Sequence, residues 1–176
     1  MQPLELQMAL WEAASRHTDL AEGVAKMAAA FRKVTPVDAV RVFSFETGGC
    51  VLAAADPALP GPARLGRSDT EALARFAAKG AVARFGEPGA EALGALRPCL
   101  GPGSHVCGGL RHGDRPEGLV VWTVDSPGWS PDDRAEALFA AALEPISAAL
   151  ETARRFHELE ALRRSADADR AGALRR

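Results

Sequence analysis

Gly118-Leu119-Val120-Val121-Trp122-Thr123-Val124 decides the fold. The run is β-branched, aromatic and almost without polar interruption, so it reads as a strand covered on both faces. Such a strand belongs in the middle of a sheet. Just upstream, His105-Val106-Cys107-Gly108-Gly109-Leu110-Arg111 reads as its hairpin partner, with the turn somewhere in His112-Gly113-Asp114-Arg115-Pro116-Glu117. A second hairpin lies nearer the N-terminus. Ala39-Val40-Arg41-Val42-Phe43-Ser44-Phe45 alternates with period two, Thr47-Gly48-Gly49 is a turn, and Cys50–Ala55 returns. A short strand is expected over Val82–Phe85.

Helical periodicity brackets these strands. Gln2 to His17 carries Leu6, Leu10, Ala13 and Ala14 on one stripe, with Trp11 beside it. Thr18 is the expected N-cap of a second helix that repeats Leu20, Val24, Met27, Ala28 and Phe31 and ends before Pro36. Asp56 to Arg67 is rich in Pro and Gly and reads as loop. Ser68 is expected to cap a helix over Asp69–Lys79, with Glu71 completing a capping box and Gly80 ending it. A weak helix over Ala90–Leu96 and a loop over Pro98–Gly103 follow. Ser130 as N-cap, Pro131 in the first turn and Asp133 in a capping box then open a long final helix, in which Pro145 predicts a kink.

Runs of strand and helix in this order define an α+β domain with a mainly antiparallel sheet. The chain has 176 residues, 47% apolar and 25% charged, with a formal net charge of −2. That balance suits a folded domain and gives no overall basic footprint for nucleic acid. Abundant Ala, Arg in excess of Lys and the absence of Tyr fit GC-rich codon usage. Cys50, Cys99 and Cys107 are expected as reduced thiols. Met1–Leu10 contains an acid and no long apolar stretch, so no secretory signal is read there. No apolar run is long enough to span a bilayer, and a cytoplasmic location is expected.

The paired N-terminal helices Leu4–Lys33, the hairpins Ala39–Ala55 and Val106–Val124, and Trp129-Ser130-Pro131-Asp132-Asp133 before a long helix together resemble a GAF domain. The resemblance covers Leu4 to Arg155. It implies a GAF-like (profilin/PAS-like) central antiparallel sheet, with the terminal helices on one face and short helices and loops over the other. Residues 1–155 would form the sensory domain and 156–176 a linker helix or weak coiled coil. The tail, Ala142-Leu143-Glu144-Pro145-Ile146-Ser147-Ala148-Ala149-Leu150-Glu151 and then Arg154-Arg155-Phe156-His157-Glu158-Leu159-Glu160-Ala161-Leu162, is similar to the exit helix of GAF domains in bacterial sigma-54-dependent activators. There such a helix leads into an AAA+ ATPase, and no Walker-type motif occurs in this chain.

The resemblance implies a ligand pocket between one sheet face and the segment Asp56–Gly103. Candidate lining residues are Arg41, Phe43 and Phe45 on one strand face, with Arg75, Phe76, Phe85 and Cys107. Arg41 could grip an anionic ligand, although a mid-strand arginine more often pairs with a carboxylate or reaches the sheet edge. Cys99, His105, Cys107 and His112 are the metal candidates, and parity separates His112 from His105 and Cys107. Cys99 and Cys107 are a candidate redox pair. His17 and His157 are expected near helix ends, exposed. The Asn-Lys-Phe-Asp-Glu signature of cyclic-nucleotide GAF domains is absent, as is the Cys-His pair common in bilin carriers.

No nucleophile elbow or zinc-protease helix is present, which favours sensing over catalysis. Leu143, Pro145, Ile146, Leu150, Leu159 and Leu162 are expected to carry the signal or a homodimer seam. The expectation is therefore a sensor for an unidentified small molecule, cofactor unknown, that controls a downstream effector. Two alternatives stand beside it: a ligand-free dimerisation module, and a thiol-dependent reductase of the free-methionine-sulfoxide type, which shares the GAF fold.

Overall fold

The computed structural model describes residues 3–16, 19–59 and 63–173. Helix α1 (Pro3–Arg16) buries Leu6, Leu10, Ala13 and Ala14, the stripe its periodicity demands. Helix α2 (Leu20–Arg32) buries Leu20, Val24, Met27, Ala28 and Phe31. The Asp19 carboxylate accepts the Ala21 N–H at 2.9 Å and caps α2. The expected cap, Thr18, lies outside the described residues together with His17.

Six strands form one antiparallel sheet: β1 (Ala39–Glu46), β2 (Gly49–Asp56), β3 (Arg64–Leu65), β4 (Val82–Arg84), β5 (Ser104–His112) and β6 (Arg115–Val124), in the spatial order β3-β2-β1-β6-β5-β4. Strands β1 and β6 are central, and Arg41 faces Val121 across their ladder. The sequence missed β3, two residues long inside what reads as loop. Both hairpin turns are tighter than expected. Only Gly113 and Asp114 separate β5 from β6, with Gly113 at φ +59°.

Strand parity sorts the side chains into two cores. On one face Val40, Val42, Val106, Leu110, Val120 and Trp122 meet α1, α2 and the final helix α4 (Asp133–Ala173). Trp122 is fully buried there, 4.6 Å from the ring of Phe139 and 5.7 Å from that of Phe31. On the other face Phe43, Cys107, Leu119 and Val121 meet helix α3 (Arg67–Ala78) and a 3-10 helix (Glu91–Cys99). The two layers close on β5 through its glycines. A methyl group on Gly108 would run into Leu143 of α4, and one on Gly109 would stand 2.6 Å from the Ala77 backbone of α3.

Helix ends depart from expectation in both directions. Helix α3 begins two residues early, at Arg67, with Gly66 as its uncapped N-cap in place of Ser68. The final helix begins at Asp133, and the Asp132 carboxylate accepts the Ala135 N–H at 2.8 Å. Ser130, the expected cap, is instead bonded by Arg84. The 3-10 helix extends to Cys99, through Pro98, where a loop was expected. Helix α4 is one continuous run that contains Pro145. Among the described residues no helix is long and apolar enough to cross a membrane.

Candidate functional site

The sheet face under α3 is largely filled by its own side chains. Phe43, Phe76 and Cys107, expected to line a pocket, are buried among Leu73, Leu93, Leu96, Leu119 and Val121. Arg75 is on the exposed side of α3 and faces solvent, so it does not belong to the site. Its position in the helix, one residue before the buried Phe76, turns it outward.

Polar groups gather at the end of this face where β1, β6 and β5 run side by side. Thr123 lies directly opposite His105 and two residues from Val121, the partner of Arg41. Arg41 Nη1 donates to Thr123 Oγ1 at 3.0 Å, and His105 Nδ1 lies 2.9 Å from the same oxygen. All three residues are buried, Arg41 at 7% exposure. Its Nε is buried with no hydrogen-bond partner. Among the described residues no carboxylate forms an ion pair with it, and it does not reach a sheet edge. Neither of the ordinary explanations for a mid-strand arginine therefore holds.

Burial pushes the His105 imidazole below its ordinary pKa, a bond to the Gly101 backbone acts the other way, and the charges of Arg41 and Arg97 add to the lowering. A neutral ring results near neutral pH. Burial likewise lowers Arg41, with Cys99 as a smaller opposing influence.

His105 also forms part of the wall of an open cleft of about 450 Å³, with Arg84, Phe85, Arg97, Ser104 and Ser130. The Phe85 ring lies 5.3 Å from the His105 ring, and the Arg97 guanidinium sits over its face at 5.7 Å. Arg84 Nη1 donates to Ser130 Oγ at 2.6 Å. Thr123, Arg84 and Arg97 were not singled out in the sequence. Only the cross-strand register and the course of the 3-10 helix bring them to Arg41 and His105.

The three cysteines are free. Burial pushes the Cys50 thiol up to about 12, and drives Cys107 well above its ordinary value. Cys99 is half-buried, and burial raises it while Arg41 partly offsets the rise. Such thiols are poor nucleophiles. Among the described residues no group of three or more His, Cys, Asp or Glu side chains could hold a metal ion, so Cys99, His105 and Cys107 do not assemble into a ligand set. His112 instead lies at the end of β5, its Nδ1 2.5 Å from a carboxylate oxygen of Glu151 on α4.

A second polar cluster ties the sheet to α4. Glu117, expected in a turn, is 2% exposed on β6 and binds Arg115 and Arg154. Arg154 also donates to the Phe45 carbonyl. Phe45 thus lines this exit cleft, besides packing against the core beneath α3. The expected seam on α4 divides here. Leu143, Ile146 and Leu150 are buried against their own sheet, which removes them from any dimer seam, and Pro145 is buried beside them. Leu159 and Leu162 are 66% and 67% exposed.

No protein-family model and no curated protein sequence matches the chain. Solved structures do. The GAF domain of a phosphoenolpyruvate-protein phosphotransferase from Coxiella burnetii is similar at 14% identity and TM-score 0.65, over 89% of this chain and 96% of that one. A phycoerythrobilin-bound GAF domain from a cyanobacterial phytochrome is similar at 14% identity and TM-score 0.63, over 89% and 98%. Free methionine-R-sulfoxide reductase from Neisseria meningitidis, solved with its substrate, is similar at 17% identity and TM-score 0.60, over 87% and 90%. These similarities show the GAF fold. They include GAF domains and a reductase alike.

Proposed function

We propose that this GAF-fold chain is a sensory domain, which binds a small molecule beside β5 and passes the change to a downstream effector through α4. One observation carries the reading: α4 belongs to two environments at once. Its residues from Ala135 to Ala153 supply buried side chains to the sheet, whereas residues 156–171 are exposed throughout. A helix so built converts a change in sheet packing into a displacement of its free half. Ligand that prefers one packing over the other shifts the population, by no more than its difference in affinity. The similarity of the tail to sigma-54 activator exit helices supports an AAA+ activator as the effector. Exposed Leu4, Met8 and Trp11 on α1 and Phe156, Leu159 and Leu162 on α4 support a homodimer.

Native mass spectrometry of gently purified protein, followed by hydrogen exchange, tests the sensor. A co-purifying metabolite whose removal changes exchange in residues 156–171 is the expected result. Exchange there that is identical with and without it would overturn the reading.

A thiol-dependent reductase is the alternative, supported by the likeness to the Neisseria enzyme and by three free cysteines. The raised pKa values of all three thiols weigh against it. Turnover of free methionine sulfoxide that disappears in Cys99→Ser would establish it.

A further inference from the structure

We infer that the cleft between β4, the 3-10 helix and β5 takes a small organic anion, a carboxylate or a phosphate monoester, with Arg97 and Arg84 as its grips and His105 at its inner wall. The inference rests on the sensor reading for the place of the ligand and adds its charge class.

Arg84 and Arg97 line the cleft, and Arg41 stands behind His105. Among the described residues none of the three arginines forms an ion pair with a carboxylate. Glu87 is the one carboxylate in the lining, and its Oε2 already accepts the Arg84 backbone N–H at 2.9 Å. The lining therefore sets two arginines against one carboxylate, a net positive charge.

Arg41 supplies an independent observation. Its side chain is more than nine-tenths buried, and its Nε has no partner. A buried guanidinium normally comes with a carboxylate, because desolvation without a counter-charge is costly. Here its hydrogen bond runs to Thr123 and the chain continues to His105, which faces the cleft. An anion beyond His105 would provide the missing opposite charge.

The cleft, at about 450 Å³, exceeds a bare inorganic anion and suits a metabolite-sized molecule. Phe85 gives that molecule an apolar contact, and Arg97, braced over the Phe85 ring and lining the same cleft, brings a guanidinium that suits a bidentate contact.

Three probes that share a phenyl ring test this: phenyl phosphate, benzoate and its neutral isostere benzamide, titrated by NMR at constant ionic strength. One of the two anions should saturate a single site near Phe85 and His105 with a millimolar Kd, and the stronger one identifies the head group. Benzamide should bind about tenfold more weakly. Arg97 is exposed, so Arg97→Gln should leave the melting temperature alone and weaken the anion about tenfold. Benzamide binding as well as both anions, no saturation by either, or an unchanged affinity in Arg97→Gln would overturn the assignment. The sensor reading fails separately. Arg97-dependent anion binding that leaves exchange in residues 156–171 unchanged would sink the sensor and keep the anion site. A neutral co-purified metabolite that alters that exchange would do the reverse.

Discussion

Arg154 Nη1 stands 3.2 Å from a carboxylate oxygen of Glu117, which joins the last buried turn of α4 to the start of β6. Glu117 is 2% exposed, and its carboxylate meets Arg115 as well as Arg154. Glu117→Gln should destabilise the domain by about 2–4 kcal/mol, since Arg154 keeps its charge and loses its counter-ion. The other partner, Arg115, has a side chain 72% exposed, and Arg115→Ala should cost less than about 1 kcal/mol. Urea denaturation of both variants checks the contrast. Equal losses would mean that solvent reaches Glu117.

The central ladder makes a steric prediction. A methyl group at Gly118 would collide with the Phe43 carbonyl across the β1–β6 pair and press on Leu150 of α4. The backbone cannot yield there without opening the ladder. Gly118→Ala should cost about 3 kcal/mol or more, or abolish soluble expression. Gly94 in the 3-10 helix has open space around its Cβ position, and Gly94→Ala should be neutral or stabilising by a few tenths of a kcal/mol. Thermal melts of the two variants suffice.

The pattern of this fold is legible wherever one residue period dominates. Residues 118–124 announce a central strand because their own run is apolar on both faces, and α1 and α2 announce their buried stripes. Helix starts were harder, because Ser68 and Ser130 look like caps while the neighbouring Gly66 and Asp132 occupy those positions. The α4 stripe was ambiguous for a physical reason. Apolar residues spaced three and four apart suit a helix packed on its own sheet as well as a coiled-coil seam, and Leu143, Ile146 and Leu150 took the first course. The site was least legible. Arg41 and Thr123 are 82 residues apart, and only the pairing of β1 with β6 brings them together.

Thiol burial predicts a pH dependence. Cys50 holds its proton to about 12 in the folded state, and Cys107 is also shifted well upward, while unfolded thiols ionise near 8.5. Above that value the unfolded chain binds fewer protons than the native one, so stability must fall as pH rises. Each thiol contributes up to about 1.4 kcal/mol per pH unit until its folded pKa is reached. With no tyrosine in the chain, no phenol obscures the range. Unfolding free energies between pH 8 and 11 should decline in the wild type, and the slope should be shallower in Cys50→Ala. At pH 8, half-buried Cys99 should react with a thiol reagent well before the two buried thiols do.

Residues 156–171 should be dispensable for folding and decisive for association. Every one of them is exposed, and the last α4 side chain in the core is Ala153. A single helix of this length, without tertiary contacts, is marginal in water. Its helicity needs a partner, and Phe156, Leu159 and Leu162 supply an apolar stripe for a second copy. Truncation after Arg155 should therefore move the urea midpoint of the core by less than the scatter of ordinary surface variants, about 0.5 kcal/mol. Analytical ultracentrifugation should find a dimer for the full chain and a weaker one for Leu159→Glu/Leu162→Glu, with far-UV dichroism losing helix in step. A dimer of unchanged affinity in that double variant would move the interface to the exposed Leu4, Met8 and Trp11 of α1, and the tail would then be helical only in contact with the effector.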